Sequence, residues 1–160
     1  MEIEAMPKSI ATAINDVMLT LNEPLTKDAE NKFQKYSYTS IDGFLKEVQP
    51  ACAKAGLIII PHEKSCEVSE SGKSLSVVYE YILIHKDGDT WSFPTTKHII
   101  VPFGSGTAMG TAQSYALKQF MRSLFQLSTG EKDDLEKLDQ NKTKNNKPKE
   151  FSDDWWKRIY

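Results

Sequence analysis

Leu75-Ser76-Val77-Val78-Tyr79-Glu80-Tyr81-Ile82-Leu83-Ile84, followed after His85 by Lys86-Asp87-Gly88-Asp89, decides the fold. Leu75, Val77, Tyr79, Tyr81 and Leu83 recur at every second position, the period of a strand with one inward face. Val78, Ile82 and Ile84 are apolar as well, so both faces are expected to be covered. The Asp-Gly pair marks a tight hairpin, and Trp91 to Val101 reads as the returning strand. Upstream, Leu57-Ile58-Ile59-Ile60 reads as a buried β run, with Pro61 confining its far end to an edge or a bulge. Ser69 to Lys73 supplies the hairpin turn between them. The pattern predicts a three-stranded antiparallel meander from about 57 to about 101.

Helical periodicity flanks the meander. Ile10, Ile14, Val17, Met18 and Leu21 form one stripe over Ser9 to Leu21. Glu23 to Lys35 reads as a polar loop, and Tyr36 to Thr39 as a short strand. Ser40 is an N-cap for a helix carrying Ile41, Phe44, Leu45, Val48 and Cys52 inward, with Gly56 as its C-terminal stop. Pro50 is expected to shorten or bend that helix. After a Gly/Pro loop, the longest helix runs from about Thr107 to about Gln126. Its buried stripe is Met109, Ala112, Ala116, Phe120 and Leu124, widened by Leu117 and Met121. Thr111, Ser114, Lys118 and Arg122 fall on the opposite side. The fold class is therefore α+β.

The chain has 160 residues, 39% of them apolar, which suits one domain with a short tail. Residues 1–130 are read as the core. Residues 131–150 hold almost nothing apolar and read as a disordered polar linker. Residues 151–160 change character again, with Phe151, Trp155, Trp156 and Tyr160 around an acidic pair, and read as a docking peptide. The apolar run at Leu57 is too short to span a bilayer, and no leader pattern opens the chain.

Charge excludes binding by bulk attraction. Twenty Lys and Arg face 22 Asp and Glu, for a formal net charge of −2. From 27 to 130 the count is 11 basic against 10 acidic, and from 131 to 160 it is eight of each. Any nucleic-acid binding must come from where the charges lie. Lys118 and Arg122, one helical turn apart, make a row of phosphate-directed donors. Lys35 beside Tyr36 and Tyr38 pairs a cation with aromatic planes, the combination that grips single strands. Lys97 and His98 lie on the returning strand. The alternative for the cations is an ordinary solvated face, and for the tyrosines core packing.

Catalytic groupings are weak. Gly104-Ser105-Gly106 with Gly110 has neither dinucleotide nor P-loop spacing, and reads as a loop with close helix packing at Gly110. Cys52, Cys66, His62, His85 and His98 show no metal-ligand spacing. No catalytic residue, metal or cofactor is assigned.

Three stretches carry a resemblance. Lys35-Tyr36-Ser37-Tyr38-Thr39-Ser40-Ile41-Asp42 is similar to the opening motif of the Erf (essential recombination function) family of phage single-strand annealing proteins. Ala55-Gly56-Leu57 resembles its continuation. Gly106 to Asp134 matches best, through Ala112-Gln113-Ser114-Tyr115-Ala116-Leu117-Lys118, Arg122-Ser123-Leu124-Phe125 and Thr129-Gly130-Glu131. The resemblance covers roughly residues 8 to 134. It implies an ATP-independent protein that coats and anneals single-stranded DNA in homologous recombination, as a homo-oligomeric ring or filament. It also implies a core akin to the eukaryotic Rad-type annealing proteins, and a bacterial cytoplasm as the place of action, from a phage or prophage. Lys118 and Arg122 are the expected phosphate contacts, with Lys35, Lys97, Tyr36, Tyr38, Gln113 and Tyr115 beside them. The tail is expected to meet a host single-strand-binding protein, a phage exonuclease or a neighbouring protomer. The alternatives are a single-strand-binding protein without annealing activity, a metal-dependent nuclease, and a protein-only scaffold.

Overall fold

A computed structural model of the chain describes residues 5–32, 36–104 and 106–129, leaving out the side chains of 31, 36 and 92–94. Its elements run α1 (Lys8–Thr20), β1 (Ala29–Asn31), β2 (Tyr36–Tyr38), α2 (Ile41–Ala55), β3 (Leu57–Val68), β4 (Ser74–His85), β5 (Thr90–Pro102) and α3 (Ala108–Phe125). The order β3-β4-β5 is the antiparallel meander. The α+β class holds, with α3 packed against the sheet.

The central strand obeys its period throughout. Leu75, Val77, Tyr79, Tyr81, Leu83 and His85 are buried, and the residues between them are half-buried. One sheet face therefore meets the helices. Ile10, Ala13 and Val17 of α1, Phe44, Val48 and Ala51 of α2, and Ala112, Ala116 and Phe120 of α3 join it in one core. The expectation that both faces are covered fails: Ile82 and Ile84 are only half-buried, while Ile58 and Ile60 are exposed. Leu57–Ile60 is thus an alternating run at an edge, with only Leu57 fully buried.

Several boundaries follow from local chemistry. Ser40 caps α2 as its side chain accepts from the Gly43 amide at 3.0 Å. Gly56 ends it in the left-handed region at φ 76°, and its amide returns to the Ala53 and Cys52 carbonyls. A Cβ there would lie 2.7 Å from the Lys86 side chain and 3.1 Å from His85 Nε2. Pro50 does not shorten α2, which runs on to Ala55; proline is exposed there, so its ring displaces nothing in the core. Pro61 lies in an edge strand that continues to Val68, past a register shift between Glu63 and Ser65. That shift moves the inward set from odd to even numbers, so Cys66 and Val68 oppose the inward Val77 and Leu75.

Two expectations are corrected elsewhere. The loop Glu23 to Lys35 contains β1, paired with β2 through Ala29↔Tyr38 and Asn31↔Tyr36. Three residues are too few for a legible alternation. On α3, Met109 is exposed and Leu124 half-buried, while Ala108 and Phe125 are buried.

Candidate nucleic-acid interface

The inner side of α3 is built for close approach. Ala112 and Ala116 are completely buried, and two small residues a turn apart bring the helix axis down onto the sheet. Phe120 then stacks on Tyr81 of β4, ring centroids 4.1 Å apart and planes 11° from parallel. Burial raises the Tyr81 phenol far above its ordinary pKa, so it stays neutral. This packing turns Gln113, Tyr115, Gln119 and Arg122 outward; Tyr115 is 55% exposed.

Lys118 does something else. Its Nζ donates a 2.7 Å hydrogen bond to the Thr39 carbonyl, and lies 5.4 Å from the Tyr38 ring and 5.4 Å from the Phe44 ring. The expected exposed row is corrected here, since Lys118 and Ser114 are half-buried. The cation straps α3 to the junction of β2 and α2, and Tyr38 shares that strap. The junction is held further by Asp28. Its carboxylate accepts from the Ser40 amide at 2.7 Å and the Ser40 hydroxyl at 2.5 Å. These bonds, with the Lys118 charge behind them, hold the Asp28 carboxyl below its usual range. Thr39 adds a 3.1 Å bond to the Thr26 carbonyl.

A lowered folded-state pKa stabilises above the unfolded value and is lost as pH falls through the folded one. Asp28→Asn is therefore expected to melt below the parent at neutral pH. The gap should close as pH drops beneath the ordinary value of 3.8. A gap constant from pH 7 to pH 2 would remove the carboxylate from this role.

Lys97 and His98 point to opposite faces. Lys97, on the helix side, donates to Ser123 Oγ at 3.1 Å. His98, on the outer side, pairs with Ser76 Oγ at 2.7 Å. Gln113 joins Pro61, Glu63, Tyr79 and Met109 around a shallow hollow of about 200 Å³. A carboxylate there disfavours a phosphate. Lys35, the Tyr36 side chain, Phe151, Trp155, Trp156 and Tyr160 lie outside the described residues, as does the whole segment 130–160.

A Cβ on Gly110 would meet nothing within 4 Å, so close packing does not explain that glycine. Gly110→Ala is expected to raise stability by about 0.5–1 kcal/mol through helix propensity. Thermal melts read this directly; a lower melting temperature would show a hidden constraint at the start of α3.

One signal was missed in the sequence. From Thr90 to Gly130 there is no Asp or Glu, yet Lys97, Lys118 and Arg122 are all there. All ten acidic residues between 27 and 130 lie before Thr90. The core is polarised along the chain, and β5 with α3 forms its positive part. Among the described residues, no three His, Cys, Asp or Glu side chains gather as a metal site requires. No helix among them is long and apolar enough to cross a membrane.

The family model described as ERF superfamily matches residues 10–154. The chain belongs to the ERF superfamily. The match extends beyond Asp134, where the recognisable motifs end, and takes in most of the C-terminal segment. No curated protein and no solved structure matches the chain.

Proposed function

We propose that this ERF-superfamily chain is an ATP-independent protein that binds single-stranded DNA and anneals complementary strands during homologous recombination. The observation that carries the reading is that Arg122 and Tyr115 stand exposed on the outer side of α3, within a stretch from Thr90 to Gly130 that contains no carboxylate side chain. Phosphates need cations without competing acids, and bases need a planar side chain. Arg122 is the principal phosphate contact. Tyr115, Lys35 and Tyr36 supply the secondary contacts, with Gln113, beside the Glu63 carboxylate, directed to a sugar rather than a phosphate, while Lys118, Tyr38 and Lys97 hold the surface in place.

Annealing of this kind needs no nucleophile and no cofactor. The protein holds backbones and leaves base edges open, and pairing releases about 1.4 kcal/mol per base-pair step. One protomer offers few cations, so several must act in a row as a homo-oligomer. Residues 1–130 are the annealing core, 131–150 a linker, and 151–160 a docking peptide for a host single-strand-binding protein or a phage exonuclease. The proposed setting is the bacterial cytoplasm, during phage or prophage recombination.

Fluorescence-monitored annealing of complementary oligonucleotides without ATP tests the activity. Acceleration over protein-free strands is expected; strand binding without acceleration would leave only a single-strand-binding protein. Arg122→Ala is expected to weaken binding and to reduce the slope of log affinity against log salt by about 0.7 for each single-strand phosphate it no longer neutralises. A variant with the parent's affinity and slope at several salt concentrations would remove Arg122 from the interface.

A further inference from the structure

The outer face of the sheet is unlike a solvated face. An antiparallel sheet with one covered face alternates apolar inward with polar outward. Here Ile58 and Ile60 of β3 stand opposite Ile84 and Ile82 of β4, forming a block of four isoleucines. Ile58 is 45% exposed and Ile60 43%. Val78 continues the face, and Ile100 of β5, 65% exposed, ends it. A polar row lies between, where Lys64 Nζ meets Glu80 at 3.1 Å and His62 Nδ1 approaches it at 4.0 Å.

We infer that this face is a self-association surface that receives the same face of a second copy of the chain. Area supports a second copy. Twelve residues of β4 at about 3.4 Å each, across three strands about 4.8 Å apart, present about 550 Å². Two such faces bury about 1,100 Å², above the roughly 1,000 Å² that separates specific contacts from incidental ones. Charge supports it too. The middle row carries both signs, with Glu80 beside Lys64 and His62, so the face presents no field of one sign to repel a second copy. Stacked sheets pack face to face at about 10 Å with interdigitating β-branched side chains.

The edges are less suited to the task. β3 carries Pro61, a register shift and the charges of Glu63, Lys64 and Glu67, and β5 carries Pro94 and Pro102. Such features block strand addition. Nucleic acid is a poorer occupant as well, because the face has Glu67 and Glu80 and no Phe, Tyr or Trp among its described side chains.

The inference rests on the proposed function only in asking for several protomers, and it needs no DNA. The test is sedimentation of the full chain without DNA, comparing the parent with Ile60→Glu/Ile82→Glu. Two charges facing apolar surface are expected to weaken this contact roughly 100-fold or more. The variant's assembly should then have half the parent's mass. Equal masses across the concentration range would overturn the inference. So would a fall in single-strand affinity with no change of mass, which would give the face to nucleic acid.

Should the variant fail to fold, the parent with labelled isoleucine methyls gives the answer against a soluble paramagnetic agent. The methyls of Ile58, Ile60, Ile82 and Ile84 should be shielded when concentrated and bleached on dilution; bleaching at every concentration overturns the inference. Annealing measured on the same samples separates the two ideas. A parent that doubles through this face without annealing defeats the proposed function alone, and one that anneals without doubling defeats the interface alone.

Discussion

Phe120→Ala is expected to destabilise the protein by about 3–5 kcal/mol, the usual cost of truncating a buried aromatic ring. Phe120 is 2% exposed and Tyr81 1%, and the two rings stack face to face. Alanine would leave a void between α3 and the centre of β4, with Tyr81 losing its stacking partner. Neighbours cannot close over it, because Ala112 and Ala116 already hold the helix close to the sheet. Domains of this size have about 5–15 kcal/mol in total, so one residue puts a large share at stake. Urea denaturation followed by circular dichroism measures it. Phe120→Leu should lose much less, and a loss below about 1 kcal/mol for Phe120→Ala would mean the pocket collapses.

Lys118→Ala is expected to destabilise by about 1.5–3 kcal/mol, the range for a hydrogen bond from a charged group. The substitution removes the 2.7 Å donor to the Thr39 carbonyl and the cation between the Tyr38 and Phe44 rings. The effect on DNA should be indirect. At a temperature where the variant is folded, its salt slope should match the parent's, unlike that of Arg122→Ala. An unchanged melting temperature with a reduced slope would make Lys118 a phosphate clamp instead. Lys118→Arg separates charge from fit, since a planar guanidinium does not replace a compact ammonium on one carbonyl.

Lys118 also marks where the sequence stops being legible. Helical spacing puts it with Arg122, away from the buried stripe. Spacing cannot tell that β2 and α2 rise beside the helix and bring Thr39 within reach, 79 residues away. The meander and α3 are legible because Leu75 to Leu83 and Ala112 to Phe120 repeat their periods several times over. β1 is not, because three residues, Ala29-Glu30-Asn31, are too few to show a period. Lys97 shows the same limit at a strand: adjacency to His98 suggests one patch, but the pleat sends the two side chains to opposite faces. The absence of acids from Thr90 to Gly130 is readable throughout, and only the overall sum of charges conceals it.

The register shift between Glu63 and Ser65 has a consequence for how this chain tolerates changes of length. Lys64 is the extra residue, and the strand takes it up locally, so Ser65 to Val68 keep their partners on β4. Deleting Lys64 would therefore straighten the strand while leaving Glu63 opposite Tyr79, and Cys66 and Val68 opposite Val77 and Leu75. That deletion should be tolerated without any compensating change in the turn at 69–73. A one-residue deletion in β4, which is paired on both sides, should not be, because it turns every later side chain to the other face.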